Sequence, residues 1–141
     1  MDFERIKQYK TEPLRYHLVI SREMPQDENC VWNVGHSLAN FLVEQQDREY
    51  LPEVFAERCG KLSRQFIGAY NGIDNMLQMT HWGLLFEPNL HFDINAFVRK
   101  LAQNCTLVLY TDGKIQNDRL YLTDAESDYY INLSGINYLV L

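Results

Sequence analysis

The stretch Met76–Asp112, MLQMTHWGLLFEPNLHFDINAFVRKLAQNCTLVLYTD, decides how the rest of the chain is read. It predicts a strand, a short connection, an amphipathic helix and a second strand. Ile94, Phe97, Val98, Leu101 and Ala102 fall at i, i+3, i+4, i+7 and i+8 and form one apolar stripe. Asp93 stands where a carboxylate accepts the free N–H groups of a first helical turn. Arg99 and Lys100 sit late, facing the negative end of the helix dipole. Thr106–Tyr110 is rich in β-favouring residues without alternation, the pattern of a strand covered on both faces. A right-handed crossover then sets Met76–Thr80 and Thr106–Tyr110 in one parallel sheet.

Working outward, Asp2–Lys10 predicts a short helix capped by Asp2 and ended by Pro13. Leu14–Ser21 reads as the first strand and Val31–Val34 as a short second one. Gly35 and Ser37 mark a turn and an N-cap for a helix over Leu38–Gln46. Pro52 suits the first turn of another helix, with Leu51, Phe55, Cys59, Leu62 and Phe66 facing inward. Gly68 and Gly72 break the chain before the central unit. Beyond it, Asp112-Gly113 signals a turn. Arg119–Thr123 alternates like a half-exposed strand, and a longer-loop hairpin with the strand before it is expected. Tyr130–Leu133 and Tyr138–Leu141 close the chain as short strands.

The expectation is therefore a single α/β domain over residues 1–141, with a mainly parallel sheet and antiparallel strands at the C-terminal edge. A length of 141 residues, with 46% apolar, 9 Tyr and 7 Phe, suits one folded unit with a real core. No apolar run approaches the roughly 20 residues of a membrane span, and MDFERIKQYK does not read as a signal peptide. A cytoplasmic protein is expected. Cys30, Cys59 and Cys105 are three and far apart, which suits reduced thiols rather than a disulfide framework.

A net charge of −6 argues against a primary nucleic-acid-binding role, which needs a basic face. The acids concentrate in Asp112–Asp128, where Asp112, Asp118, Asp124, Glu126 and Asp128 stand against Lys114 and Arg119. Such an edge is either a solvated face or a dock for a basic partner.

In a parallel α/β domain a nucleotide phosphate is held by the loop after the first strand. That grip needs glycines, so that backbone N–H groups can close in, and a lysine. This chain has no glycine before Gly35, and Gly60-Lys61-Leu62-Ser63 lies within a helical pattern. A magnesium ion further needs a carboxylate at the end of a buried strand, where this chain has Thr80, His81 and Gly83. Asp74 lies at the strand's beginning, on the wrong edge.

The segments WNVGHSLANFLVEQ, LLFEPNLHFDINAFVRKLAQNCTLVLYTDG and RLYLTDAESDYY, from Val31 to about Tyr130, resemble the small P-loop ATPase of BREX-type phage-defence systems, the BrxF type. The resemblance implies a P-loop-NTPase-like fold that lacks the Gly-rich loop, which falls in a deletion between Ser21 and Val31. The family's acidic positions fall near Thr80 and Gly83. It implies a scaffold without ATP chemistry, no cofactor, and no catalytic residue to carry over.

Other constellations are weaker. His17, His36, His81 and His91 share no ligand spacing with the cysteines, so no metal set is expected. Asp112-Gly113-Lys114 after a strand resembles the acid-x-lysine element of metal-dependent nucleases and would need another acid such as Asp93. An unfamiliar loop that still binds ATP is a further alternative. Ser37 beside His36 lacks a third group to orient a base. Trp32 and Trp82 are interaction anchors if exposed and core if buried. The leading expectation is a non-catalytic subunit that contacts protein partners, with nucleic acid touched only indirectly and a homo-oligomer possible. Its candidate contact residues are Trp32, Tyr121, Asp124, Glu126, Asp128, Tyr129, Tyr130 and Tyr138.

Overall fold

The computed structural model describes residues 1–45, 49–123 and 128–141. Along the chain the elements are α1 (Phe3–Thr11), β1 (Leu18–Ser21), β2 (Trp32–Asn33), α2 (Val34–Gln45), α3 (Leu51–Phe66), β3 (Gly68–Tyr70) and β4 (Ile73–Thr80). They continue with α4 (Ile94–Asn104), β5 (Thr106–Tyr110), β6 (Ile115–Gln116), β7 (Arg119–Tyr121), β8 (Tyr130–Asn132) and β9 (Tyr138–Val140).

The central unit folds as its pattern predicts. Asp93 Oδ1 accepts the Ala96 N–H at 3.0 Å, and Ile94, Val98, Leu101 and Ala102 are buried along one stripe. β4 and β5 pair in parallel, with Met76 opposite Thr106 and Met79 opposite Leu109. Every residue of β1 and β5 is buried, because helices cover both faces of a parallel sheet. The full order is β2-β4-β5-β1-β9, parallel throughout, with β3 joined antiparallel to β4.

One face of this sheet (Leu18, Ile20, Leu77, Met79, Leu107 and Leu109) packs with residues of α2, α3 and α4 such as Leu38, Phe55 and Val98. The opposite face packs Val19, Met76 and Val108 against Ile6 and Tyr9 of α1. β6, β7 and β8 form a separate antiparallel sheet. No helix among the described residues is long and apolar enough to cross a membrane.

Several boundaries differ from expectation. Only Leu18–Ser21 of the anticipated first strand pairs; Leu14 N–H bonds locally to the Glu12 carbonyl. The second helix starts at Val34, so Gly35 and Ser37 lie inside its first turn. Its cap is the Asn33 side chain, which accepts the His36 N–H at 3.0 Å. Gly68 opens a strand rather than a break, and Asn71-Gly72, with φ of 51° and 79°, turns it tightly into β4. β7 pairs with β6 through Asn117-Asp118 (φ 53° and 58°), not with β5.

Candidate functional site

An open parallel sheet binds ligands outside the carboxyl ends of its strands, where the connections diverge to either side. Here that point is the end of β1, which lies between β5 and β9. The groups that emerge are Ser21 and Arg22 from β1, Thr80 and His81 from β4, and Tyr110, Thr111 and Asp112 from β5.

Three of these positions, Ser21, Arg22 and Tyr110, are tied to neighbouring residues. The Ser21 hydroxyl donates to the Glu23 carbonyl at 3.1 Å. The Arg22 guanidinium donates to the Gly113 carbonyl, clamping the end of β1 to the turn after β5. Trp82 Nε1 donates to the Tyr110 carbonyl at 3.1 Å and closes the end of β5 from the other side. A cavity of about 310 Å³ remains, lined by Arg22, His81, Trp82, Thr111 and Asp112 among others.

The chain after β1 holds the decisive chemistry. Arg22-Glu23-Met24-Pro25-Gln26 contains no glycine and leads to a three-residue 3-10 turn, Glu28–Cys30. The backbone N–H of Asn29 in that turn is taken by the Asp27 carboxylate at 3.0 Å, and the Cys30 thiol donates to the same carboxylate at 3.5 Å. Where a phosphate would require open N–H groups and a positive field, the chain supplies Asp27 and Glu28, with Glu23 paired to the Met1 ammonium at 2.9 Å. Burial first, and then the Asp27 carboxylate, raise the Cys30 thiol above its ordinary value.

On the α1 side of the same edge lies a cavity of about 510 Å³, with Gln78 and Tyr110 among its lining. Tyr110 Oη donates to Gln78 Oε1 at 2.6 Å, and burial pushes this phenol up to about 12. It therefore remains a protonated donor at neutral pH. Gln78, a polar residue inside a buried strand, was the one sequence signal for this pair. Nothing in the sequence marks the Arg22–Gly113 clamp.

The expected contact residues divide sharply. Trp32 has 0% exposure; it stacks on Phe66 at 6.3 Å between centroids and donates its Nε1–H to Ser37 Oγ at 2.7 Å. It is core and offers no surface to a partner: although β2 is an edge strand, the ring turns inward against Phe66 and Phe97. Tyr121 is likewise buried, against Tyr130 at 5.5 Å. Trp82 is core too.

Tyr130 is half-buried beneath the Arg119 guanidinium, 4.4 Å from the ring centre. Tyr138 is half-buried in β9 beside Leu18. Asp128 and Tyr129 are exposed, with the Tyr129 ring 5.6 Å from Phe86. Asp124 and Glu126 lie outside the described residues. What the structure gathers is thus a smaller surface around Asp128 and Tyr129, with Tyr130 at its margin.

The acid-lysine constellation is not brought together as a metal set. Asp112 lines the edge cavity and Lys114 is exposed beyond it, whereas the Asp93 carboxylate caps α4 and lines separate cavities. Among the described residues there is no group of three or more His, Cys, Asp or Glu side chains placed to hold a metal ion.

Fold and edge together define a small α/β domain with a mainly parallel sheet and an appended antiparallel one. Comparison of the chain with protein-family models, curated proteins and solved structures returned no match.

Proposed function

We propose that this chain is a non-catalytic contact subunit of a larger protein assembly, on a P-loop-like scaffold without the Gly-rich loop. The observation that carries this reading is the route of the chain out of β1. It enters a glycine-free acidic loop and a turn whose Asn29 N–H is already held by Asp27. A triphosphate brought there would meet carboxylates instead of an N–H cradle, and repulsion would oppose its binding. The mainly parallel sheet, with its first strand in the interior, supports the scaffold assignment.

The resemblance set out above suggests the setting, a bacterial phage-defence assembly with protein partners and only indirect contact with nucleic acid. Two surfaces favour contact. Among the described residues β9 is an edge strand with Val140 exposed and no strand paired on its outer side, an edge another chain can join. Asp128 and Tyr129 add an acidic and aromatic patch.

The test is purification of the tagged chain from its native host, followed by sizing of what accompanies it. The reading expects a defined complex in constant ratio that persists without added nucleotide. A chain that elutes alone and hydrolyses ATP at a rate abolished by a substitution at Arg22 or Asp112 would overturn it.

A further inference from the structure

We infer that the groove between α3 and α4 docks an amphipathic helix of a protein partner whose carboxylates cluster at one end. The inference rests on the contact-subunit reading and names the surface and the chemistry it selects. The sheet register puts Gly68, Met76 and Thr106 abreast, so the last turns of α3 and α4 lie side by side. The other end of α3 meets the start of α4, where Phe55 packs on Phe92 at 5.5 Å. Between the two helices runs a groove of about 700 Å³.

Its floor is apolar and fixed. Phe92 packs on Phe97 at 5.1 Å, and Phe97 packs on the buried Trp32 at 6.4 Å. Small residues line the walls: Ala56 and Gly60 from α3 and Ala96 from α4, so an incoming backbone can approach closely. α3 has 16 residues, which at roughly 1.5 Å per residue gives a track about 24 Å long, enough for a helix of about four turns.

Charge then selects the occupant. Arg64 and Lys100 stand at the same end of the groove, one from each helix, and neither is ion-paired among the described residues. The Arg64 guanidinium lies across Gly60, its Nη1 3.4 Å from where a Cβ there would stand. The opposite end carries Asp93. In a chain of net charge −6, two unpaired cations beside an apolar trough favour an acidic occupant in one direction. Carboxylates of the partner helix sit between Arg64 and Lys100 and its apolar stripe lies on Phe92 and Phe97.

The test is selection on the intact chain from a displayed library of helical peptides of about 16 residues, matched to this track at ~1.5 Å per residue. Enriched peptides should carry an apolar i, i+3, i+4 stripe with Asp or Glu gathered at one end. Their affinity should fall about tenfold or more, some 1.4 kcal/mol or beyond, for Arg64→Glu/Lys100→Glu. Ala96→Leu, an exposed helical site that keeps the fold, should block them by narrowing the groove. No enrichment, enrichment without acidic ends, or binding indifferent to both variants would overturn the assignment. Concentration-dependent self-association lost in the same variants would overturn it too, in favour of a second copy. If selection fails while the tagged chain still purifies with a partner in constant ratio, the groove falls and the contact-subunit reading stands.

Discussion

Gly113→Ala tests how the carboxyl edge of the main sheet is tied to the small antiparallel sheet. A Cβ at this position would stand 2.0 Å from the Tyr121 carbonyl oxygen, whereas real Cβ atoms keep at least 3.0 Å from such a neighbour. The obstructing atom is backbone and cannot swing aside like the tip of a side chain. Tyr121 is held on the same stretch, its N–H bonded to the Lys114 carbonyl at 2.9 Å, and it pairs with Tyr130 in β8. The Gly113 carbonyl also receives the Arg22 guanidinium. Accommodating the methyl group therefore means moving β7 by about 1 Å or breaking the Arg22 clamp. Overpacking of this kind costs roughly 1–3 kcal/mol.

For a chain of this size that corresponds to a melting point lower by about 3–10 °C. Urea unfolding followed by circular dichroism measures it, and Gly60→Ala is the control. That residue lies mid-helix, and its nearest neighbour is the flexible end of Arg64 at 3.4 Å, so alanine should stabilise. The expected gain is about 0.5–1 kcal/mol from reduced freedom of the unfolded chain. A Gly113→Ala protein within about 0.5 kcal/mol of the parent would refute the described packing of β7.

Two further outcomes are expected. Tyr110→Phe removes the donor to Gln78 and leaves a buried carbonyl without a partner, costing roughly 1–3 kcal/mol. Adding Gln78→Leu should recover part of that loss, and strictly additive unfolding energies would contradict the pairing. Alkali should also unfold the protein. Burial pushes the Cys59 and Cys105 thiols up to about 12 from an ordinary 9.0, and Tyr110 up to about 12 from 10.0. Each folded-state value is raised, so the stabilisation is complete below about pH 9 for the thiols and declines as pH climbs toward 12. The slope approaches ~1.4 kcal/mol per pH unit per group. Urea midpoints across that range should fall, and Cys59→Ala/Cys105→Ala should flatten the fall; a midpoint independent of pH would refute it.

The local signals in the chain were legible where one segment carried its own physics. α4 announces itself through its apolar stripe and Asp93, and β5 through an unbroken β-favouring run, so the parallel unit follows from the residues. α2 was misplaced because Gly35 and Ser37 look like punctuation, while its actual cap, Asn33, also ends a strand. The β3–β4 hairpin carried a readable signal in Asn71-Gly72, which Gly68 close by made look like a simple break.

What no local pattern discloses is pairing across the chain. β9 joins β1 from 120 positions away, as Leu18 opposite Tyr138 shows. The same limit hid the fate of the aromatic residues. Trp32 is buried against Phe97, a neighbour distant in sequence, and Tyr121 packs on Tyr130 across the small antiparallel sheet. The site was legible chiefly through its residue types: no glycine after the first strand and no carboxylate at the end of β4.

The most direct test is thermal unfolding of the chain with magnesium and millimolar ATP. A ligand at about 100 times its dissociation constant stabilises the folded state by about 2.7 kcal/mol, a shift well above the scatter of the method. The acidic, glycine-free loop after β1 predicts no shift with ATP, and none in an Asp27→Ala variant beyond its own altered baseline. A saturable rise in melting temperature that titrates with ATP and is lost on substituting Arg22 would contradict it, placing a nucleotide at the very edge that Asp27 and Glu28 should keep clear.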